Sequence, residues 1–504
     1  MVTSLVLDQL LDLNLIVTIL AAAVYGLVIG GIPGLTALMA SALLVPFVIF
    51  MEPIPAVAAI VTASAMAIFA GDIPGALLRM PGTPASAAYT DDAHGLVLRG
   101  KTAMSLGAGV IASSFGGLLS ATILVLAAPS LARIALTFSS VEYFWLALMG
   151  LSCATLVTTD SLLKGLVSLF IGLTLATVGM DPISGIPRFT FSNVNLLSGF
   201  GLIPVLIGFF AVGELMRGAA IPVERRTKLP PVGPMLGPSL RGLFTHKIGA
   251  ARGGLIGTVV GALPGAGSDI AAWISYAISR RMTKRGRAET DDGVVERITA
   301  ASAANNASLG GAYIPATVFG IPGDAITAIV ISVMFIKGIN PGPTLFLNQP
   351  EMIYSIFAIF FVANLLMIPL GIIMVRAFGA VLRLPPIYIS PVIVLFCILG
   401  AFSVENTLFA VLLIVIFGIL GYVLEANKVP LAPAILGLIL GPLIEQNFMT
   451  TILKSQGDLG IFFERQVGSW LGYATILIWV VVLAVRLIGA RRLALTESIS
   501  HDVE

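Results

Sequence analysis

The sequence predicts an all-α polytopic membrane protein: about 10–12 spans in two repeats, inverted relative to each other, with helices broken at Pro-Gly or folded into re-entrant hairpins. Three observations predict it. Of the 504 residues, 57% are hydrophobic and 11% charged, with a mean hydropathy of +1.02. Uncharged runs recur along the whole chain, and a span takes about 20 apolar residues. A G-x-x-x-G-x-x-P-G frame occurs twice, starting at Gly26 and at Gly257. A net charge of +2 leaves no footprint for nucleic acid, so the expected surroundings are a lipid bilayer. Cys153 and Cys397 both lie in apolar runs and build neither a disulfide framework nor a metal site. His94, His246 and His501 are scattered, without H-E-x-x-H spacing. The first apolar run is too long for a cleavable signal peptide and lacks a basic start.

The first repeat is expected over residues 1–213. Leu13 to Met51 carry no charge, enough for two short helices turning at Pro33-Gly34 or one span broken in its middle. Proline lacks an N–H and glycine is conformationally loose, so neither sustains a helix there. In lipid, broken backbone is tolerated only where protein or a water-filled cavity satisfies it. A turn at Glu52-Pro53 leads to an Ala-rich segment, 56–70. The stretch Gly71–Ser86 holds Pro74, Pro81 and Pro84, too much proline for a helix and too little polarity for an ordinary loop. It recurs as well: Ile73-Pro74, Pro81-Gly82 and Ala87 align without a gap on Ile314-Pro315, Pro322-Gly323 and Ala328. Leu98-Arg99-Gly100 then matches Ile336-Lys337-Gly338. Two repeated motifs in the same order point to internal duplication. Uncharged runs at 102–132, 143–159, 165–180 and 189–213 complete the repeat.

Residues 214–246 read as a basic, Pro-rich cytoplasmic linker, with Arg217, Arg225, Arg226, Lys228 and Arg241. The second repeat follows over 247–450, and 451–504 form a terminal span and cytoplasmic tail. Arg280, Arg281, Lys284, Arg285 and Arg287 make the most basic loop, which the positive-inside rule places in the cytoplasm. The second Pro-Gly segment is then flanked by cytoplasmic charge and the first by none, which gives the inverted arrangement.

Two breaks at corresponding places in two halves mark a transporter's binding site, where freed N–H groups meet an anion and carbonyls hold a cation. The competing reading of G-x-x-x-G is close helix packing. Gly267-Ser268-Asp269 follows the second break and suits an oxygen-bound cation; the first has Leu35-Thr36-Ala37 and no acid. Asp72, Arg79, Asp91, Asp92, Asp269 and Asp324 are charges within apolar surroundings, which are costly there. Asp91 and Asp92 fit equally well as interfacial helix ends. Arg79 either meets a substrate carboxylate bidentately or pairs with Asp72. Asn305-Asn306, with Ser302 and Ser308, either bind a ligand or hydrogen-bond a neighbouring helix; Thr62 and Ser64 occupy the corresponding segment.

The paired frames, the Gly71–Ser86 stretch and Ala303-Ala-Asn-Asn-Ala-Ser-Leu-Gly-Gly311 resemble the large, TctA-like membrane subunit of the tripartite tricarboxylate transporters, over about residues 15–450. The resemblance implies a permease of the bacterial inner membrane. It would work with a small four-span membrane subunit and a periplasmic solute-binding protein, importing carboxylates such as citrate by a Na⁺ or H⁺ gradient. The chain has no G-x-x-x-x-G-K-[ST] and so no P-loop for ATP. The expected substrate-binding set is Gly30, Pro33, Gly34, Arg79, Pro81, Gly82, Thr83, Ser86, Pro322, Gly323 and Thr327. The expected ion-binding set is Gly261, Pro264, Gly265, Gly267, Ser268, Asp269, Asn305, Asn306 and Asp324, with Na⁺ as the one candidate ion and no other cofactor. A stand-alone carrier is the nearest alternative; a channel or assembly scaffold is another. An intramembrane aspartyl enzyme fits poorly, because the Gly-Asp pairs at 71–72 and 323–324 sit beside prolines and no Tyr-Asp pair exists.

Overall fold

Proline and glycine divide the apolar sequence into helices that turn back on themselves, as a computed structural model shows for residues 2–33, 35–157, 161–219, 232–265, 267–283, 290–381 and 386–501. Among the described residues, six helices are long and apolar enough to cross a membrane: Leu13–Gly31, Pro53–Leu78, Thr102–Ala135, Pro350–Phe378, Leu408–Ala426 and Leu431–Lys454. Six shorter apolar helices accompany them, including Ala37–Val48, Ser140–Leu156 and Ala325–Ile336. The only strands described are the short pair Gly179–Met180 and Pro187–Arg188.

The first frame is a helical hairpin. Helix Leu13–Gly31 ends where Ile32 turns extended ahead of Pro33, and helix Ala37–Val48 starts at Thr36, whose hydroxyl accepts from Met39 N–H at 3.2 Å. The second frame repeats this: helix Lys247–Gly261, a turn at 262–265, then helix Gly267–Met282. Each hairpin lies against the helix that follows it. Gly26 and Gly30 face the backbone of Ala63 and Ala67 on helix Pro53–Ala70. Gly257 and Gly261 face Ala304 and Ser308 on helix Asp291–Val318. Ala63 and Ala67 correspond to Ala304 and Ser308 at the 241-residue spacing of the second motif, from Ile73 to Ile314. The glycines therefore pack identically in both halves.

Helix directions follow from the contacts. Along Thr102–Ala135, Ser113 reaches Ser302 while Ser120 lies at Gly310, so this helix runs parallel to Asp291–Val318. Against Pro350–Val381, Val110 meets Gly371 while Ser114 meets Asn364, so those two run antiparallel. Ser64 faces Tyr313 and Asp72 faces Ser302, so Pro53–Ala70 and Asp291–Val318 also run antiparallel.

Two sequence expectations are corrected. Gly71–Ser86 is not wholly irregular: Asp72–Leu78 is helical, because Pro74 sits in the first turn, where no intrahelical N–H bond is required. Arg79 stops it in the left-handed region, φ 59°. The run 189–213 is a loop to Phe200; its helix begins at Leu202 and passes through a π-helical segment, Ile207–Val212, packed on Leu408–Ala426. Within the linker region, 220–231 lie outside the described residues, and helix Leu236–Thr245 packs on Thr102–Ala135, with Ser239 against Gly107.

Candidate functional site

The second break is held by the second Pro-rich turn. Gly265 N–H donates to Gly323 O at 2.7 Å, and Gly265 has φ +80°, a conformation natural to glycine. Pro264 lies against Gly150 of helix Ser140–Val157, and Gly323 lies on Ala312. In the first half Gly82 N–H donates to Gly71 O at 3.0 Å, and Gly82 rests on Gly71. Gly71 and Gly82 correspond to Ala312 and Gly323 at the same spacing of 241. Gly34, the counterpart of Gly265, lies outside the described residues.

Each Pro-rich turn leads into a helix through the same reciprocal cap. Thr83 N–H donates to Ser86 Oγ and Ser86 N–H to Thr83 Oγ1, both at 3.1 Å. Asp324 N–H donates to Thr327 Oγ1 at 2.9 Å and Thr327 N–H to Asp324 Oδ1 at 2.8 Å, a capping box at the start of Ala325–Ile336. The turns differ in exposure. Arg79, Met80, Pro81 and Pro84 are exposed, whereas Ile321, Pro322, Gly323 and Asp324 are buried. Trp273, on the second hairpin, donates to Pro84 O at 3.1 Å, so the first turn touches the second half.

The structure brings Pro264, Gly265, Pro322, Gly323, Asp324 and Thr327 together. Pro81, Gly82, Thr83 and Ser86 form the equivalent group, with Pro33 half-buried at its own break. Gly30 and Gly261 serve as helix contacts. Arg79 pairs with exposed Asp91 at 2.8 Å and not with Asp72, which is held elsewhere. Gly267, Ser268 and Asp269 open helix Gly267–Met282, but their side chains lie outside the described residues. Asn306 donates to Asn364 Oδ1 at 2.6 Å and to Ser113 O at 3.0 Å, joining three helices.

A buried polar group at the seam between the halves was not read as one group in the sequence, which assigned only its Asn305 a binding role. Tyr89 OH donates to Asp72 Oδ1 at 2.6 Å, and Asn305 Nδ2 donates to Tyr89 OH at 3.3 Å. Ser302 sits beside both Asp72 and Tyr89. The signal for it was the repeat alignment, which sets Asp72 opposite Tyr313 and Asn305 opposite Ser64. Tyr313 does face Ser64.

One end of this seam is tied by charge. Arg297 grips Asp92 with Nε at 2.7 Å and Nη2 at 3.0 Å, and Tyr276 OH donates to Asp92 at 2.9 Å. Arg99 pairs with Asp291 at 3.0 Å, Lys101 pairs with the same carboxylate, and His246 lies 3.0 Å from Asp292. In the other half Lys337, the counterpart of Arg99, donates to Ile49 O and Met51 O at 2.5 Å each. Equivalent positions thus cross to equivalent loops, as in a self-complementary interface.

Fold and site together define a polytopic α-helical membrane protein whose helices break at recurring Pro-Gly motifs. The family model of the Tripartite tricarboxylate transporter TctA family matches residues 16–436, and the chain belongs to that family. It is 29% identical over 445 residues, 88% of either chain, to an uncharacterized 52.8 kDa protein in the TAR-I ttuC' 3' region of Agrobacterium vitis. It is 32% identical over 213 residues, 42% of this chain and 88% of the relative, to an uncharacterized protein in the TAR-II ttuC' 3' region of the same organism. No solved structure matches.

Proposed function

We propose that this chain is the permease subunit of a binding-protein-dependent secondary transporter of the bacterial inner membrane. It imports carboxylates, tricarboxylates such as citrate or related dicarboxylates and aromatic acids, by ion-coupled alternating access. Its partners are a small four-span membrane subunit and a periplasmic solute-binding protein. Family membership supports the transporter class, and the paired break-and-turn units carry the mechanism. The exposed turn Arg79–Pro84 offers the Thr83 hydroxyl and the Arg79 guanidinium to a carboxylate, while in its counterpart 320–325 residues 321–324 are buried. Transport exchanges those roles: the hairpins and turns move against the remaining helices, covering one turn and uncovering the other.

The two halves form an inverted duplication in this reading. Supporting it, the corresponding helices Pro53–Ala70 and Asp291–Val318 run antiparallel, as do Thr102–Ala135 and Pro350–Val381. Single cysteines placed at positions 52 and 290 are expected to react with impermeant thiol reagents from opposite sides of the membrane. Labelling of both from one side defeats the inversion.

The function is tested by uptake of labelled citrate and a panel of other carboxylates into proteoliposomes. These hold the chain with its small subunit, with and without the binding protein, under an imposed Na⁺ or H⁺ gradient. Accumulation that needs the binding protein and one gradient is the expected result. Accumulation without the binding protein makes the chain a stand-alone carrier. No accumulation of any carboxylate by well-inserted protein overturns the reading.

A further inference from the structure

Beside Asp72 the seam between the halves encloses a cavity with room for about one water molecule. Asp72, Tyr89 and Ser302 supply polar lining, as do Ser86, Thr90 and Ser105, whose hydroxyls already donate to Thr83 O, Ser86 O and Ala93 O; Phe69, Leu106 and Ile298 close it with apolar surface. Tyr89 already occupies Asp72 Oδ1. Asp72 Oδ2 and Ser302 Oγ have no hydrogen-bond partner of normal geometry, although Asp72 is 6% exposed and Ser302 0%. Both atoms lie 3.9 Å from the point where a side chain on Gly109 would begin, so they approach the same small space.

A buried carboxylate oxygen met by no more than a poorly placed hydroxyl is costly unless a cation or a proton joins it. A metal cation needs a shell of several oxygens. Here the free atoms are one carboxylate oxygen and one hydroxyl, and the surrounding walls are largely apolar. A proton needs one oxygen.

We propose that Asp72 binds the proton that couples transport, an inference that rests on the ion-coupled permease reading. The proton adds to Oδ2 to give a neutral carboxyl whose O–H the Ser302 hydroxyl accepts. It leaves to water as the seam opens, restoring the carboxylate, and no other bond changes. Tyr89 is the ionisable group facing Asp72 from helix Ala87–Leu98, where His94 lies against Ala76 O at 2.8 Å. Helix Asp291–Val318 presents Ser302 and Ile298, Thr102–Ala135 presents Ser105, Leu106 and Gly109, and Pro53–Ala70 presents Phe69, none of them charged. At the repeat-related position the second half has Tyr313 in place of Asp72; the buried carboxylate near it, Asp324, accepts from the Thr327 N–H and hydroxyl instead.

The test pairs infrared spectroscopy with transport, in membranes holding the chain and its small subunit. Wild type is expected to show a protonated-carboxyl band that titrates with pH, lost in Asp72→Asn, which keeps an acceptor for Tyr89. With the binding protein present, Asp72→Asn loses at least about 10-fold of proton-driven accumulation yet still exchanges labelled for unlabelled carboxylate, and Asp72→Glu recovers part of the accumulation. A band unchanged in Asp72→Asn, no titrating band in wild type, or proton-driven accumulation by Asp72→Asn at the wild-type level overturns the proposal. If wild type shows the band and moves no carboxylate, the transporter reading fails and the proton site stands.

Discussion

Gly265→Val is expected to lower carboxylate uptake at least about 100-fold while the protein still reaches the membrane. Two effects combine. A β-branched residue at φ +80° is strained by about 1–3 kcal/mol. Any side chain there also runs into Gly150 O and Ala154 of helix Ser140–Val157, at 2.5–2.7 Å from a β-carbon. Relieving both requires the 262–265 turn to move, and that movement breaks the 2.7 Å hydrogen bond from Gly265 to Gly323, the direct tie between the second break and the second Pro-rich turn. Gly265→Ala carries the same strain and collision with less bulk, so its loss should be smaller but clear. Uptake in proteoliposomes, compared at equal surface-labelled protein, measures the effect. Uptake by Gly265→Val within twofold of wild type separates this turn from transport.

Much of the fold was legible because lipid narrows the choices. Most uncharged runs had to be helices, 189–200 being an exception, and breaks had to be covered by protein. The recurring motifs were readable in Gly26–Pro33 against Gly257–Pro264 and in Pro81-Gly82 against Pro322-Gly323, and the matching caps at Thr83–Ser86 and Asp324–Thr327 lie where that alignment puts them. Three things were not legible. Periodicity does not tell whether a proline falls in a helix's first turn, so Asp72–Leu78 was read as irregular. Partners across the seam, such as Arg297 for Asp92, are about 200 residues apart in sequence, and neither carries a local mark of the other. The Asp72–Tyr89–Asn305 group draws on three segments, so a local reading offered Asp72 only its nearest cation, Arg79, as one of two alternatives for that arginine. Arg79, ending its helix in the left-handed region, points instead to exposed Asp91.

Gly257→Leu is expected to cost about 3 kcal/mol or more of stability, the upper part of the range for overpacking. A bulky side chain in a core usually displaces other side chains, which can find new rotamers. Here the obstacle is the main chain of Ala304, which a β-carbon at Gly257 would meet at 2.8–2.9 Å through Cα and C. Helix Asp291–Val318 has little room to retreat, because an adjacent face is held by Thr102–Ala135, where Gly116 meets the backbone of Ala303. It is also fastened by Arg297 to Asp92 and by Asn306 to Asn364. Close approach of this kind supplies association in lipid, where no hydrophobic drive separates helix from solvent. Gly26→Leu, which meets Ala63 in the same way, should behave alike if the halves are equivalent. Gly237→Leu is the control, since nothing lies within 4 Å of its β-carbon position. Thermal unfolding of the purified protein in detergent, followed by size-exclusion fluorescence, reads the difference. A midpoint for Gly257→Leu equal to that of Gly237→Leu shows that the frame's glycines are not needed for packing, and returns them to the binding role first read from the sequence.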